Sequence, residues 1–212
     1  MKILKYINEQ NFSDYEHKII KKLNSPIKIQ DFLNRLEHNA ENDGITLHSP
    51  RYVINRKSCH CIEGALLAAF ALWYHGERPI IMDLKSNAYD FDHVVALYKK
   101  NGHWGAISKT NHAVLRYRDP VYETIRELAL SYFHEYFLDD GSKTLRSYSD
   151  PFDLSRLEDK SWIISDKNLW YISKLLDRSP HHPILDPSMI RGLRRADAIE
   201  IKAGKLLEYA RR

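Results

Sequence analysis

The stretch from Cys61 to Tyr74 reads Cys-Ile-Glu-Gly-Ala-Leu-Leu-Ala-Ala-Phe-Ala-Leu-Trp-Tyr, and Glu63 is its only charged residue. A helix that is apolar on every side has no face to give to water, so the rest of the chain must enclose it. It is far shorter than the ~20 residues a membrane span needs, and Gly76 supplies a stop just beyond it. The pattern therefore predicts a buried central helix with a cysteine at its head. There Cys61 meets the positive end of the helix dipole and the free N–H groups of the first turn, which favour thiolate over thiol.

The flanking sequence offers elements to surround that helix. Asp14 to Asn24 and Ile27 to Asn42 read as amphipathic helices, the second with Ile29, Phe32, Leu33 and Leu36 at helical spacing and Pro26 near its start. Gly44 to Lys57, with Ser49-Pro50, reads as a loop that leads into the cysteines. Pro79 to Leu84 reads as a strand. His93 to Tyr98 and His103 to Ser108 flank Lys99-Lys100-Asn101-Gly102, where Asn-Gly is a strong hairpin signal.

Leu115 to Arg118 is a further candidate strand, and Asp119-Pro120-Val121 reads as the start of a long helix reaching about Leu138. Gly141 to Asp153 is polar and Ser-rich, whereas Leu169 to Leu176 and Ser188 to Ala210 read as helices. No internal repeat is present. The expectation is an α+β fold in which the cysteine-bearing helix packs on an antiparallel sheet. Residues 1–140 would form the domain with its N-terminal helices, 141–153 a linker and 154–212 a helical C-terminal region.

Charge narrows the partners little: 32 Lys and Arg are interspersed with 28 Asp and Glu, for a net charge of +4, which does not imply nucleic acid. Arg191, Arg194, Arg195, Lys202, Lys205, Arg211 and Arg212 read as a solvated helix face. Met1 to Ile7 is followed by Asn8-Glu9-Gln10-Asn11 instead of an apolar core and cleavage site, so a soluble, cytoplasmic chain is expected. The 2 cysteines lie two positions apart, too close for an ordinary disulfide framework, and a reducing compartment would keep them as thiols. No cofactor motif is read, and the oligomeric state is not encoded.

Three motifs in this order resemble the transglutaminase-like superfamily of papain-fold cysteine enzymes: Cys61-x-Glu63-x-Ala65 heading the apolar helix, Asp92-His93-Val94-Val95 opening a strand, and Gly102-His103-Trp104-Gly105-Ala106-Ile107 closing the hairpin. The likeness covers Lys57 to Ser108. It implies Cys61 as nucleophile, His93 as general base, and a peptide, protein or small amide as substrate. Cysteine-dependent hydrolysis or acyl transfer is the implied activity, and a catalytically inactive module that binds a peptide or small molecule in the same cleft is the alternative.

The family usually places an acidic residue four positions after the hairpin tryptophan, and here that position is Ser108. With Asn101-Gly102 as a two-residue turn, Lys100 faces His103 and the register sets Val95 opposite Ser108 and His93 opposite Thr110. Ser108 then shares a face with His93 and can hold its ring, though without a negative charge. A one-residue bulge would favour Asn111 instead, and Asp119 is a further candidate whose position before Pro120 also suits a helix cap. Cys59 reads as structural. Glu63 either complements the helix dipole or orders the site. Cys59, His60 and Cys61 joined by His112 would be a metal set, but the spacing is a weak match to zinc sites and no metal is assigned.

Overall fold

A computed structural model describes residues 2–10, 12–41 and 44–209. The apolar run forms helix α5 (Cys61–Tyr74), in which every residue from Ile62 to Leu72 is buried. Helices α1 (Lys2–Glu9), α2 (Asp14–Lys22), α3 (Pro26–Asn34) and α4 (Pro50–Arg56) precede it, and α1, α3 and α4 pack directly on it. Their ends are set by short-range chemistry. Ser13 and Glu16 form a reciprocal capping box on α2, and Ser25 and Ser49 cap α3 and α4 with a proline next in line.

The other side of α5 rests on the sheet. Its strands are β3 (Ile80–Ser86), β4 (His93–Lys100), β5 (His103–Ile107), β6 (Arg118–Tyr122), β7 (Leu145–Ser149), β8 (Phe152–Asp153) and β9 (His181–Pro183). They lie in the order β6-β5-β4-β3-β7-β9, with β8 also on β3, and each pairing is antiparallel. Val94, Ala96 and Tyr98 of β4 face α5, while Val95 and Leu97 face a second core with Leu128, Tyr132 and Tyr136. Burial on both faces explains why β4 reads as a continuous apolar run.

The hairpin turn adopts positive φ at Asn101 (51°) and Gly102 (84°), as a type I′ turn requires, and pairs Lys100 with His103 through to Ala96 with Ile107. Three helix readings need correction. The second N-terminal helix stops at Asn34, because the chain turns extended as β1 (Glu37–His38) to pair in parallel with β2 (Ser58–Cys59); Asn42 lies outside the described residues. Ser49-Pro50 opens α4 inside the segment read as loop. Asp119-Pro120 lies in edge strand β6, where a proline needs no ladder donor, and the helix starts later as α6 (Ile125–Leu130), capped by Thr124 with Glu127.

The segment 141–153, read as a linker, carries β7 and β8 and completes the sheet beside β3. The C-terminal region is mixed, with α7 (Trp170–Asp177), β9, α8 (Pro187–Arg191) and α9 (Ala198–Gly204), because β9 pairs with β7 and Gly192 ends α8. Arg194, Arg195 and Lys205 make exposed ion pairs with Asp197, Asp140 and Asp139, while Ala210, Arg211 and Arg212 lie outside the described residues. Among the described residues no helix is long and apolar enough to cross a membrane.

Candidate active site

Cys61 is the first residue of α5, and His93 is the first residue of β4. The sequence thus puts a thiol where helix N–H groups lack intrahelical acceptors and a ring where a strand enters the sheet. The two line one cleft of about 720 Å³. The rings of His60 and His93 flank the Cys61 thiol and act on it through hydrogen bonding and charge. Burial pushes this thiol up, yet those hydrogen bonds and the positive charge of the imidazoles hold it well below the usual thiol range. Cys59 is fully buried in β2 and pushed up to about 12, chiefly by that burial.

Behind His93 stands Ser108, with Oγ 2.8 Å from Nε2. Ser108 is delivered by β5 and the turn that follows it, which press against α5 at Gly64. A Cβ on Gly64 would come within 2.6 Å of the Lys109 Cβ, so only glycine lets this segment approach so closely. Lys109 is fully buried and donates to the carbonyls of Leu33 and Leu36 at 3.0 and 2.6 Å, satisfying acceptors at the end of α3. Gln30 clasps the Ser108 backbone from α3, accepting from its N–H and donating to its carbonyl.

The other candidates for the third position are engaged elsewhere. Asn111 exchanges two hydrogen bonds with the backbone of Tyr209, and Asp119 is exposed on β6. Trp104 packs on the second core, on the sheet face away from α5. His112 bonds the carbonyl of Gly204, and Cys59, His60 and Cys61 do not converge as three ligands for one ion. Among the described residues the single gathering of that kind is Asp83, Asp92 and Asp177, where Lys85 already bridges Asp177 and Asp92 at 3.0 and 3.6 Å.

His60 is the residue whose place at the thiol the sequence reading missed, having been weighed only as a metal ligand. It caps α5 and its own N–H donates to Glu63 Oε2 at 3.1 Å. Glu63 is fully buried, and its carboxylate also accepts from Thr46 Oγ1, the His48 N–H and Asn39 Nδ2 at 3.0, 2.8 and 3.1 Å. Burial pushes this carboxyl up, but the charge of His60 and those hydrogen bonds hold it below the usual carboxylate range. Burial likewise opposes charge on His60, yet its hydrogen bond to Cys61 and the charges of Cys61 and Glu63 raise it to about 9. The signal was in the sequence: a histidine at the N-cap, a cysteine next and a glutamate three positions on.

No protein-family profile and no curated protein sequence matches this chain.

Proposed function

We propose that the chain is a transglutaminase-like, papain-fold cysteine hydrolase or acyltransferase acting on an amide or peptide carbonyl. The observation that carries the reading is the Cys61 thiol at a helix start, with the imidazoles of His60 and His93 lining the same cleft. A thiolate there attacks the carbonyl carbon, the Cys61 N–H steadies the developing oxyanion, and the C–N bond breaks as the amine nitrogen gains a proton from an imidazolium. Water or a second amine then releases the acyl group from sulfur, with His93 in the base role.

A second reading, an inactive module that binds a peptide or small molecule in the cleft, draws on one observation: the partner of His93 is an uncharged serine. Incubation with p-nitrophenyl acetate separates the two. An enzyme forms an acyl adduct on Cys61, detectable by mass spectrometry and discharged by water or added amine. A folded chain that never acylates, or whose adduct is never discharged, is the binding module.

A further inference from the structure

Two imidazoles serve one sulfur, and they are wired differently. The hydroxyl of Ser108 donates to the Leu115 carbonyl at 2.6 Å, so toward His93 Nε2 it acts as acceptor and fixes the proton on that nitrogen. The Nε2 of His60 is likewise committed as a donor to the Thr46 carbonyl at 3.0 Å. In each ring Nδ1 is then the nitrogen left for Cys61: that of His60 can donate to a thiolate, whereas that of His93, with its proton held on Nε2, can only accept. The partner of His93 Nε2 is a neutral hydroxyl, whereas His60 Nε2 also has Glu63 Oε1 at 3.5 Å and Glu41 Oε1 at 3.6 Å.

A positive ring in a buried site needs a fixed counter-charge, and Glu63 is the buried carboxylate that its donors hold in place, with the His48 ring also against it, Nδ1 2.9 Å from Oε1. Building on the proposed cysteine chemistry, we infer that His60, and not His93, is the imidazolium partner of the Cys61 thiolate, leaving His93 neutral as base for the second nucleophile. The proton leaves Sγ for His60 Nδ1 and the electron pair stays on sulfur. During acylation the C–S bond forms, the C–N bond breaks and His60 returns its proton to the departing amine. During deacylation the incoming water or amine gives its proton to His93 Nδ1 and the C–S bond breaks. The thiolate re-forms, and passage of that proton from His93 to His60 restores the resting state. Glu63 is a positioning residue that acts through the His60 ring.

The groups facing His60 are Cys61 and Glu63 from α5, Glu41 and the Thr46 carbonyl from the preceding loop, His38 from β1, and His93 across the sulfur. The test is the ultraviolet thiolate absorbance of the full chain against pH, for wild type, His60→Gln and His93→Gln. The expected result is a thiolate at neutral pH in wild type and in His93→Gln, and its loss from His60→Gln by a factor of ten or more. An inflection that moves as far in His93→Gln as in His60→Gln overturns the assignment. Nitrogen NMR of the wild-type histidines needs no variant: a doubly protonated His60 beside a neutral His93 at neutral pH supports it, and the reverse overturns it. A wild-type chain without any thiolate at neutral pH instead defeats the cysteine-enzyme reading itself.

Discussion

Ser108 accepts from His93 and donates to Leu115, so the serine fixes one tautomer of the ring and supplies no charge. Ser108→Ala would leave His93 Nε2 and the Leu115 carbonyl without these partners, at about 1–3 kcal/mol. Ser108→Asp could still accept from His93 but could not donate to Leu115, and it would put a carboxylate where exposure is 1%. We expect both variants to melt below wild type, and Ser108→Ala to react more slowly with iodoacetamide. A Ser108→Ala chain with unchanged Tm and alkylation rate would remove Ser108 from the site.

Iodoacetamide should modify Cys61 and spare Cys59. The first thiol is held well below the usual range by two imidazoles, while the second is fully buried and pushed up to about 12. Peptide mapping after limited labelling near neutral pH checks this. Faster labelling of Cys59, or labelling of both cysteines with the profile of a free thiol near ~8.5, contradicts the assignment.

Glu63 links stability to pH. Its folded-state pKa is lowered from the ordinary carboxyl value, so its contribution is complete above the unfolded value of 4.5 and is lost as pH falls through the folded one. Glu63→Gln should cost roughly 3–5 kcal/mol near neutrality, where the wild-type carboxylate is ionised and its donors are matched to it. Denaturant unfolding of both chains from neutral pH down to acid should show the gap closing below the carboxyl range. A gap that stays constant would mean Glu63 acts by shape and not by charge.

Asp119→Asn and Thr124→Ala distinguish the two candidate helix starts. Asp119 is exposed on an edge strand and Thr124 caps α6, so the first change should stay within about 0.5 kcal/mol and the second should cost about 1 kcal/mol. Melting temperatures decide. An Asp119→Asn chain that keeps its Tm but no longer alkylates at Cys61 would restore Asp119 to the catalytic set.

What was legible in the sequence was local. The α5 run and the Asn101-Gly102 turn each carry their signal within a few residues. At α6 two local signals competed, since Asp119-Pro120 and Thr124-x-x-Glu127 both resemble helix starts, and the sheet edge that accommodates Pro120 is set by distant residues. The strand β7 was hidden for a similar reason. Leu145-Arg146-Ser147-Tyr148-Ser149 has no strong alternation, and its identity as a strand comes from pairing with β3. The contact of His93 with Ser108 followed from hairpin parity, whereas the place of His60 depended on Asn39, Thr46 and His48 closing over Glu63.

The position of β7 has a consequence for biosynthesis. Because β7 and β8 cover the edge of β3 that β4 leaves open, a nascent chain that has emerged only as far as residue 140 presents Ile80, Ile81 and Met82 on an unpaired edge beside the finished hairpin. Such a fragment holds Cys61, His60 and His93 but not the strands that seal the sheet. Expressed by itself it should associate through that edge, and the chain through β8 is the shortest piece in which that edge of β3 is paired along both Ile80–Ile81 and Leu84–Ser86.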